Sequence, residues 1–292
     1  MNKKYFAIIL TLLVIVLISG YLFIFQKETL RQCRDFLVNT TTYFKVANST
    51  KYKEFAKSDK SKKYYKNEKE IKIPILLYHQ ICNTNPNRTE YHLSTTTNQF
   101  RTQITGLKNL GYTFITYDDL IAYNNNELAL PEYCVIITFD DGYKNVYENA
   151  FPIAKELNIP ITMFVIDSCF GIPEYISWDD AREMDKSGIV SIYTHSKNHI
   201  DYSKANKDDL LDNITSAHST IEKQLGHPVS KVMAYPYGGY NDNEIEVLKY
   251  NGFIQNILLD VPNLSSTLDM SKLNRIFVKQ NYSVYKILEI IL

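Results

Sequence analysis

The chain has 292 residues, of which 45% are apolar and 22% charged, values typical of one large globular domain with an extension. Its 32 basic side chains balance 32 acidic ones, so the overall charge gives no support for nucleic-acid binding. The charge is nevertheless unevenly distributed. Residues 1–72 carry fifteen basic and six acidic side chains, whereas residues 73–292 carry seventeen and twenty-six. An acidic body therefore follows a basic N-terminal region.

The N-terminal 26 residues have the pattern of a membrane segment. Lys3 and Lys4 precede an uncharged apolar run from Tyr5 to Phe25, and about twenty such residues suffice to cross a bilayer as a helix. No clear small-x-small cleavage site ends the run, which favours a retained signal-anchor over a cleaved signal peptide. Basic residues flank both ends, so the positive-inside rule does not decide the orientation.

Residues 27–70 are polar, rich in Lys, Thr, Ser and Tyr, and show no sustained hydrophobic period. They are interpreted as a stem. The stem is either a solvated spacer or a basic segment attracted to an anionic surface such as lipid headgroups or wall polymers. The folded domain is predicted to occupy residues 71–292.

Strands and helices alternate along this domain. Strands are predicted over residues 73–78, 113–115, 135–139, 161–166, 189–194, 231–235, 253–259 and 276–278. Helices are predicted over residues 98–110, 145–157, 178–188, 207–225, 242–250 and 284–291, with a further helix opened by a capping box at residues 116–119. The alternation favours an α/β fold with a parallel sheet. Seven or eight such units fit a closed (β/α) barrel better than a doubly wound open sheet, for which the chain has no Gly-rich phosphate loop.

The four cysteines, Cys33, Cys82, Cys134 and Cys169, show no metal-ligand or CxxC spacing. We therefore expect no disulfide framework. Cys134 opens an apolar strand and is expected to pack as a small hydrophobic side chain.

The strand over residues 135–139 is followed directly by Asp140, Asp141 and Gly142. Its continuous apolar run is typical of a strand buried on both faces of a parallel sheet. In such folds ligands bind beyond the carboxyl ends of the strands. Two neighbouring carboxylates stay ionised there only if a cation or strong donors compensate their repulsion. This stretch therefore predicts a cation beside Asp140 and Asp141.

His195 and His199 follow another apolar strand. Two imidazoles four residues apart can converge on one point if the backbone turns after the strand. With one carboxylate they make a His₂-carboxylate set, which leaves a coordination position open as in catalytic metal sites. Each motif alone is common in turns or on surfaces, but both at strand ends of one barrel indicate a metal centre.

A third loop at a predicted strand end runs from Ala234 to Gly239. Pro236 fixes its backbone and the glycines permit close approach. Such a loop is either an ordinary turn or a means of directing a backbone N–H into a site as an oxyanion donor.

In this order, Thr138-Phe-Asp-Asp-Gly142, His195-x-x-x-His199 and Pro236-Tyr-Gly238 resemble the leading motifs of the NodB-type polysaccharide deacetylases, carbohydrate esterase family 4. The resemblance covers about residues 71–280, and Trp178 leading a helix also fits it. The stretches Leu77-Tyr-His79 and Ala-Tyr-Pro-Tyr-Gly resemble the branch that deacetylates the biofilm polymer poly-β-1,6-N-acetylglucosamine. The resemblance implies a distorted (β/α) barrel and a divalent metal, usually zinc, with cobalt, manganese or nickel as alternatives. It also implies hydrolysis of the N-acetyl groups of N-acetylglucosamine residues.

The resemblance also implies roles for single residues. Asp140 would be the general base that takes a proton from the attacking water, and the backbone N–H of Tyr237 would help to hold the oxyanion. The expected metal ligands are Asp141, His195 and His199, and the expected substrate contacts are His79, Tyr235 and Pro236.

Two positions depart from the family pattern. Many members carry an Arg two residues before the Pro, where it orients the base, but here that position is Ala234. Many also carry a late Leu-x-His that supplies a general acid, but no His follows His227. The leaving amine would then be protonated by Asp140 returning its proton or by His79, for which a structural role is equally open. The remaining histidines, His92, His218 and His227, are expected to be structural.

We therefore expect a membrane-anchored, metal-dependent N-deacetylase with an extracellular catalytic domain, acting on poly-β-1,6-N-acetylglucosamine. Peptidoglycan and chitin-like oligomers are alternative substrates. The alternative of a different class is a non-catalytic glycan-binding protein on a decayed deacetylase fold, which the missing Arg and late His would favour. Retention of Asp140 together with the three metal ligands argues against it. Tyrosines near the strand ends are expected either to pack on sugar rings or to fill the core.

Overall fold

The computed structural model describes residue 42 and residues 45–57, 63–66, 69–83, 93–204, 207–258 and 260–292. The predicted signal-anchor over residues 1–26 lies outside the described residues, as do Cys33 and His92. Within the described part of the chain, no helix is both long and apolar enough to cross a membrane.

Seven parallel strands close into a barrel. They are Ile75–Tyr78 (β1), Cys134–Phe139 (β2), Ile161–Val165 (β3), Val190–Thr194 (β4), Val232–Ala234 (β5), Ile254–Leu258 (β6) and Leu273–Phe277 (β7). Each strand pairs with the next one along the chain, and β7 pairs with β1 to complete the ring. The predicted barrel is therefore confirmed, and it has seven strands.

Short strands decorate the barrel. Thr113–Phe114 pairs in parallel with the first two residues of β2. Three two-stranded pairs are separate from the barrel sheet: Tyr64–Tyr65 with Leu130–Pro131, Lys72–Ile73 with Asn263–Leu264, and Gln80–Cys82 with Ser94–Thr96.

Helices connect the strands. In the described part of the chain they are Thr50–Lys57 (α1), Thr97–Asn109 (α2), Tyr117–Asn124 (α3), Phe151–Leu157 (α4), Trp178–Lys186 (α5), Lys207–Leu225 (α6), Asp242–Tyr250 (α7) and Val284–Ile291 (α8). A π-helical turn, Val146–Ala150, leads into α4. Capping boxes begin α2, α3, α5 and α7, and each satisfies backbone N–H groups that a helix start leaves free. The box predicted at residues 116–119 is among them.

The alternation of side chains along β2 divides the core into two layers. Cys134 and Ile136 lie in one apolar cluster with residues of the other barrel strands and with Tyr117 of α3. Val135 and Ile137 lie in a second cluster, which includes side chains of α2, α4, α5 and α8. Because side chains point alternately to the two faces of a strand, the first cluster fills the barrel and the second lies beneath the helices. Cys134 is fully buried, as predicted.

Part of the predicted stem packs on this barrel domain. Phe55 of α1 is buried, and its ring lies edge-on to Tyr133 with a centroid separation of 4.8 Å. Val46 is buried in the same outer cluster. Residues 45–57 are therefore attached to the domain and are not a solvated spacer.

The last barrel strand differs from its prediction over residues 276–278. It runs over Leu273–Phe277 and so begins three residues earlier. Asn274 and Arg275 interrupt the apolar pattern that would have marked its start. The difference matters because Arg275 is then a residue of the last barrel strand.

Candidate active site

A cavity of about 310 Å³ opens at the carboxyl end of the barrel strands. Its polar lining residues are His79, Asp140, Asp141, His195, His199 and Arg275. Its other lining residues are apolar, aromatic or glycine: Leu77, Leu93, Tyr235, Tyr237, Gly238, Leu258 and Phe277. The fold thus brings seven of the eight predicted site residues into one cavity, and Pro236 is the exception.

The backbone after β2 turns so that both carboxylates face this cavity. Asp140 continues the inward alternation of Ile136 and Thr138, whereas Asp141 has a left-handed φ of 74°. Gly142 follows with φ of 84°, and a Cβ there would lie 3.3 Å from Val165. Only glycine adopts that backbone freely beside a packed neighbour, which is why the turn after Asp141 needs it.

Asp141, His195 and His199 converge as a candidate metal-ligand set. Their ligand atoms all lie within 4.8 Å of one another. Oδ1 of Asp141 is 3.4 Å from Nε2 of His195 and 3.2 Å from Nε2 of His199. Donor atoms about 2.1 Å from a tetrahedral ion would lie about 3.4 Å apart, so these separations fit a divalent metal.

The environment of each ligand also fits a metal. Oδ1 of Asp141 is buried without an aligned hydrogen-bond donor among the described residues, which would be costly for a carboxylate with no cation beside it. Burial alone would raise the pKa of Asp141, but the adjoining imidazoles of His199 and His195 lower it to about 2. The carboxylate is therefore ionised at neutral pH.

His195 is fixed by a hydrogen bond to the neighbouring strand. Its Nδ1 lies 2.9 Å from the carbonyl oxygen of Ala234. A carbonyl can only accept, so Nδ1 carries the proton and Nε2 turns its lone pair toward Asp141. Burial lowers the pKa of His195 despite the nearby Asp140 and Asp141 carboxylates. The ring is thus kept neutral, as a metal ligand must be.

Arg275 holds Asp140 by a bidentate ion pair. Nη1 and Nη2 donate to Oδ1 and Oδ2 of Asp140 at 2.6 and 2.7 Å, and both side chains are almost completely buried. The guanidinium also lies over the ring of Phe164 at 5.4 Å. Two parallel charge-assisted hydrogen bonds fix the carboxylate in position and in plane. The missing arginine at position 234 is therefore replaced from another strand of the barrel.

The charge of Arg275 sets the protonation state of Asp140. Burial alone would raise the pKa of this carboxyl, but the charge of Arg275 and its hydrogen bonds bring it below its ordinary value. Asp140 is consequently an ionised acceptor at neutral pH. The sequence carried one signal for this pair, an arginine directly before the apolar run over residues 276–278, since a charge buried beside such a run needs a partner.

His79 reaches the cavity from the end of β1. Its ring stands edge-on to Phe277 at 5.5 Å, and its Nδ1 is buried without a hydrogen-bond partner among the described residues. Burial lowers the pKa of His79, although Asp140 and Asp141 act in the opposite direction. In a purely structural histidine, this buried nitrogen would be expected to form a hydrogen bond within the protein. Its lack of a described partner therefore favours a role of His79 in contacting a bound ligand.

The loop after β5 forms a short 3₁₀ turn over Pro236–Gly238. Tyr237 has a left-handed φ of 58°, and its largely exposed ring contacts the ring of His199 at 4.5 Å. Tyr235 is buried and donates its hydroxyl to Gln255, so it offers the cavity only its ring. Pro236 is buried and does not line the cavity. Its substrate contact stays a prediction, and its fixed φ helps to shape the turn.

Two tyrosines near the strand ends, Tyr78 and Tyr143, do not line the cavity, and neither do His218 and His227. Tyr143 stacks on Tyr175, and Tyr78 is buried with its hydroxyl on Gln103. His218 packs against Phe253, and His227 bonds Asp185 on the surface, as expected for structural histidines.

Comparisons with known proteins point in one direction. The family described as polysaccharide deacetylase matches residues 128–255. The poly-beta-1,6-N-acetyl-D-glucosamine N-deacetylase of Staphylococcus epidermidis is 30% identical over 200 residues, which cover 64% of this chain and 69% of that relative. The enzyme of the same name from Staphylococcus aureus is 33% identical over 174 residues, covering 54% of this chain and 59% of that relative.

A solved structure extends the similarity to the fold. The Streptococcus pyogenes deacetylase PplD, determined in complex with acetate, aligns with a TM-score of 0.70 at 28% identity. The alignment covers 77% of this chain and all of that one.

The ligand set predicts how metal binding responds to single substitutions. His199→Ala should lose stoichiometric zinc binding, because two remaining protein ligands hold a divalent ion poorly. Asp140→Asn should keep it, since Asp140 is engaged by Arg275 and is not part of the ligand set. Metal content after dialysis, measured by atomic emission, distinguishes the two variants. Equal zinc retention in both would contradict this assignment.

Proposed function

We propose that this chain, which belongs to the polysaccharide deacetylase family, removes N-acetyl groups from an extracellular polymer of N-acetylglucosamine. The observation that carries the proposal is the joint placement of an ionised, arginine-held carboxylate and a His₂-carboxylate ligand set in one cavity. A pure glycan binder has no need for such a base. The missing arginine favoured a decayed fold, and Arg275 removes that argument.

The reaction needs a nucleophilic water and a polarised amide carbonyl. A divalent ion held by Asp141, His195 and His199 would supply Lewis acidity to both. Asp140 accepts the proton of the water as its oxygen bonds to the acetyl carbon, and its low pKa suits a water that is already acidified. The bidentate pair with Arg275 keeps this carboxylate from rotating away from the water.

The backbone N–H of Tyr237 is available to the oxyanion. In the turn, the N–H groups of Gly238 and Gly239 donate to Tyr235 and Pro236, whereas that of Tyr237 makes no backbone hydrogen bond within the described residues. A free N–H beside the cavity is what oxyanion stabilisation requires. The strained φ of Tyr237 supports this role, since strain of this kind recurs at functional sites.

The leaving nitrogen must be protonated, and Asp140 and His79 are the two candidates for this step. The carbon–nitrogen bond breaks when the nitrogen takes up a proton, releasing acetate and a free amine. Asp140 holds the proton that it took from the water, and its lowered pKa makes it a ready donor. His79 lines the same cavity, and burial lowers its pKa, so we assign it the role of passing this proton from Asp140 to the nitrogen. The apolar wall that includes Leu258 and Phe277 suits the acetyl methyl group.

We assign poly-β-1,6-N-acetylglucosamine as the substrate, which is supported by the polymer after which the staphylococcal relatives are named. Peptidoglycan and chitin-like oligomers remain the alternatives. The apolar run from Tyr5 to Phe25 supports anchoring in the membrane. An extracellular catalytic domain is part of this proposal, because the proposed polymer lies outside the cell.

Acetate release tests the activity and the substrate together. With zinc or cobalt present, the protein should release acetate from poly-β-1,6-N-acetylglucosamine oligomers faster than from peptidoglycan or chitin oligomers. Asp140→Asn should lower kcat by about 10²–10⁴-fold, the usual contribution of a general base, while retaining metal. If no acetate is released with any metal, or if Asp140→Asn is fully active, the proposed mechanism is wrong.

A leaving-group comparison tests His79. His79→Gln should lose most N-deacetylation but keep hydrolysis of p-nitrophenyl acetate, because that ester has a leaving group that needs no protonation. Parallel kcat values for the amide and the ester separate the two effects. An equal loss on both substrates would instead assign His79 a structural or binding role.

A further inference from the structure

We propose that Asn213 of α6 is a positioning residue for the candidate metal ligand His199, an inference that rests on the proposed metal-dependent function. Oδ1 of Asn213 accepts from the backbone N–H of Lys197 at 2.7 Å and from the hydroxyl of Tyr202 at 2.8 Å. Its Nδ2 donates to Oδ1 of Asn198 at 2.7 Å. The side-chain amide of Asn213 is thus hydrogen-bonded to residues that precede His199 and to one that follows it.

The loop needs such a clamp because its backbone is strained. Ser196 has φ of 80° and His199 has φ of 55°, both in the left-handed region that non-glycine residues avoid. Conformations of this kind cost about 1–3 kcal/mol each and persist only where the surroundings enforce them. Inside the loop, the backbone N–H of His199 donates to Oγ of Ser196 at 2.9 Å.

The two histidine ligands are held in different ways. His195 is buried and anchored through its own ring nitrogen to Ala234. The side chain of His199 is 23% exposed, and among the described residues no hydrogen bond fixes its Nδ1. Its ring contacts His195, Asp141 and the edge of Tyr237. The ring of His199 therefore points at the metal position because the loop backbone directs it there.

The other backbone restraints on the loop come from residues 167 and 168. The backbone N–H groups of Asp167 and Ser168 donate to the carbonyls of Ser196 and Lys197 at 3.1 and 2.8 Å. Those bonds hold only the half of the loop before His199, whereas the bond from Tyr202 reaches beyond it. Losing the amide should loosen His199 and leave the first half of the loop in place.

Zinc affinity and fold stability, measured separately on the full chain, test the proposal. The metal-free protein is titrated with Zn²⁺ against a chromophoric chelator, and its unfolding midpoint is recorded without metal. Asn213→Ala should bind Zn²⁺ about 10–100-fold more weakly, the usual effect of losing an outer partner of a ligand. Its acetate release should return toward that of the unaltered protein at saturating zinc.

Matched variants separate positioning from general stability. Asn213→Asp keeps the acceptor for Lys197 and Tyr202, so its zinc affinity should stay close to that of the unaltered protein. Thr215→Ala is the control, because Oγ1 of Thr215 bonds only the carbonyl of Leu211 in the same helix. If Asn213→Ala does not fold, Tyr202→Phe removes one of the three bonds with little change in volume and should weaken zinc binding by several-fold.

Unchanged zinc affinity in Asn213→Ala, or in Tyr202→Phe where that variant is used, would overturn the proposal. Equal weakening in Asn213→Ala and Asn213→Asp would overturn it as well, since the retained acceptor would then have no effect. An unaltered protein that binds no Zn²⁺ at all would instead refute the proposed metal-dependent function.

Discussion

The buried pair between Arg275 and Asp140 is the interaction on which the site depends. It joins β7 to the end of β2 across the barrel interior, and β1 lies between these strands in the sheet. Arg275 is the only described Lys or Arg in ion-pair contact with Asp140, and the other ionisable side chain within that distance is His195 at 3.7 Å. Removing one partner of such a pair strands the other in a low-dielectric interior, at a cost of about 3–5 kcal/mol. The pair therefore fixes the position of β7 relative to the end of β2, as well as the orientation of the Asp140 carboxylate.

That constraint explains how two adjacent aspartates can have separate roles. Arg275, on barrel strand β7, donates to both oxygens of Asp140 and so fixes the orientation of this carboxylate. The left-handed turn at Asp141 aims the second carboxylate at His195 and His199. A base and a ligand are thus separated by one peptide bond, without competing for one cation.

The barrel supplies the remaining groups from several strand ends. His79 follows β1, His195 follows β4, and the turn with Tyr237 follows β5. Since all strands are parallel, these groups meet at one end of the fold. The support for each group is local and differs from case to case: a neighbouring carbonyl for His195, an arginine for Asp140, and an amide on α6 for the loop of His199.

The sequence was sufficient for the barrel and for the four polar residues at the ends of β2 and β4, because those residues follow apolar strands directly. It was insufficient for the role of Arg275, because its partner Asp140 lies 135 positions away in the sequence. In addition, Asn274 and Arg275 are polar, so the start of their strand does not show the apolar pattern of the other strands. Phe55 and Val46 were missed for a related reason. They are isolated apolar residues in a polar stretch, and only the fold shows the surface that covers them. The substrate contact predicted for Pro236 rests on its motif alone, since the residue is buried and does not line the cavity.

A double-mutant cycle on the metal-free protein tests the central pair most directly. At pH 7, Arg275→Met alone should lower the unfolding free energy by about 3–5 kcal/mol, and adding Asp140→Asn should recover much of that loss. The lowered pKa of Asp140 means that the pair stabilises the protein above the ordinary carboxyl pKa of about 3.9 and loses this effect as the pH falls below it. The cost of Arg275→Met should therefore shrink toward pH 4, where an unpaired, buried Asp140 takes up a proton. Additive costs for the two substitutions, equal at both pH values, would contradict the account.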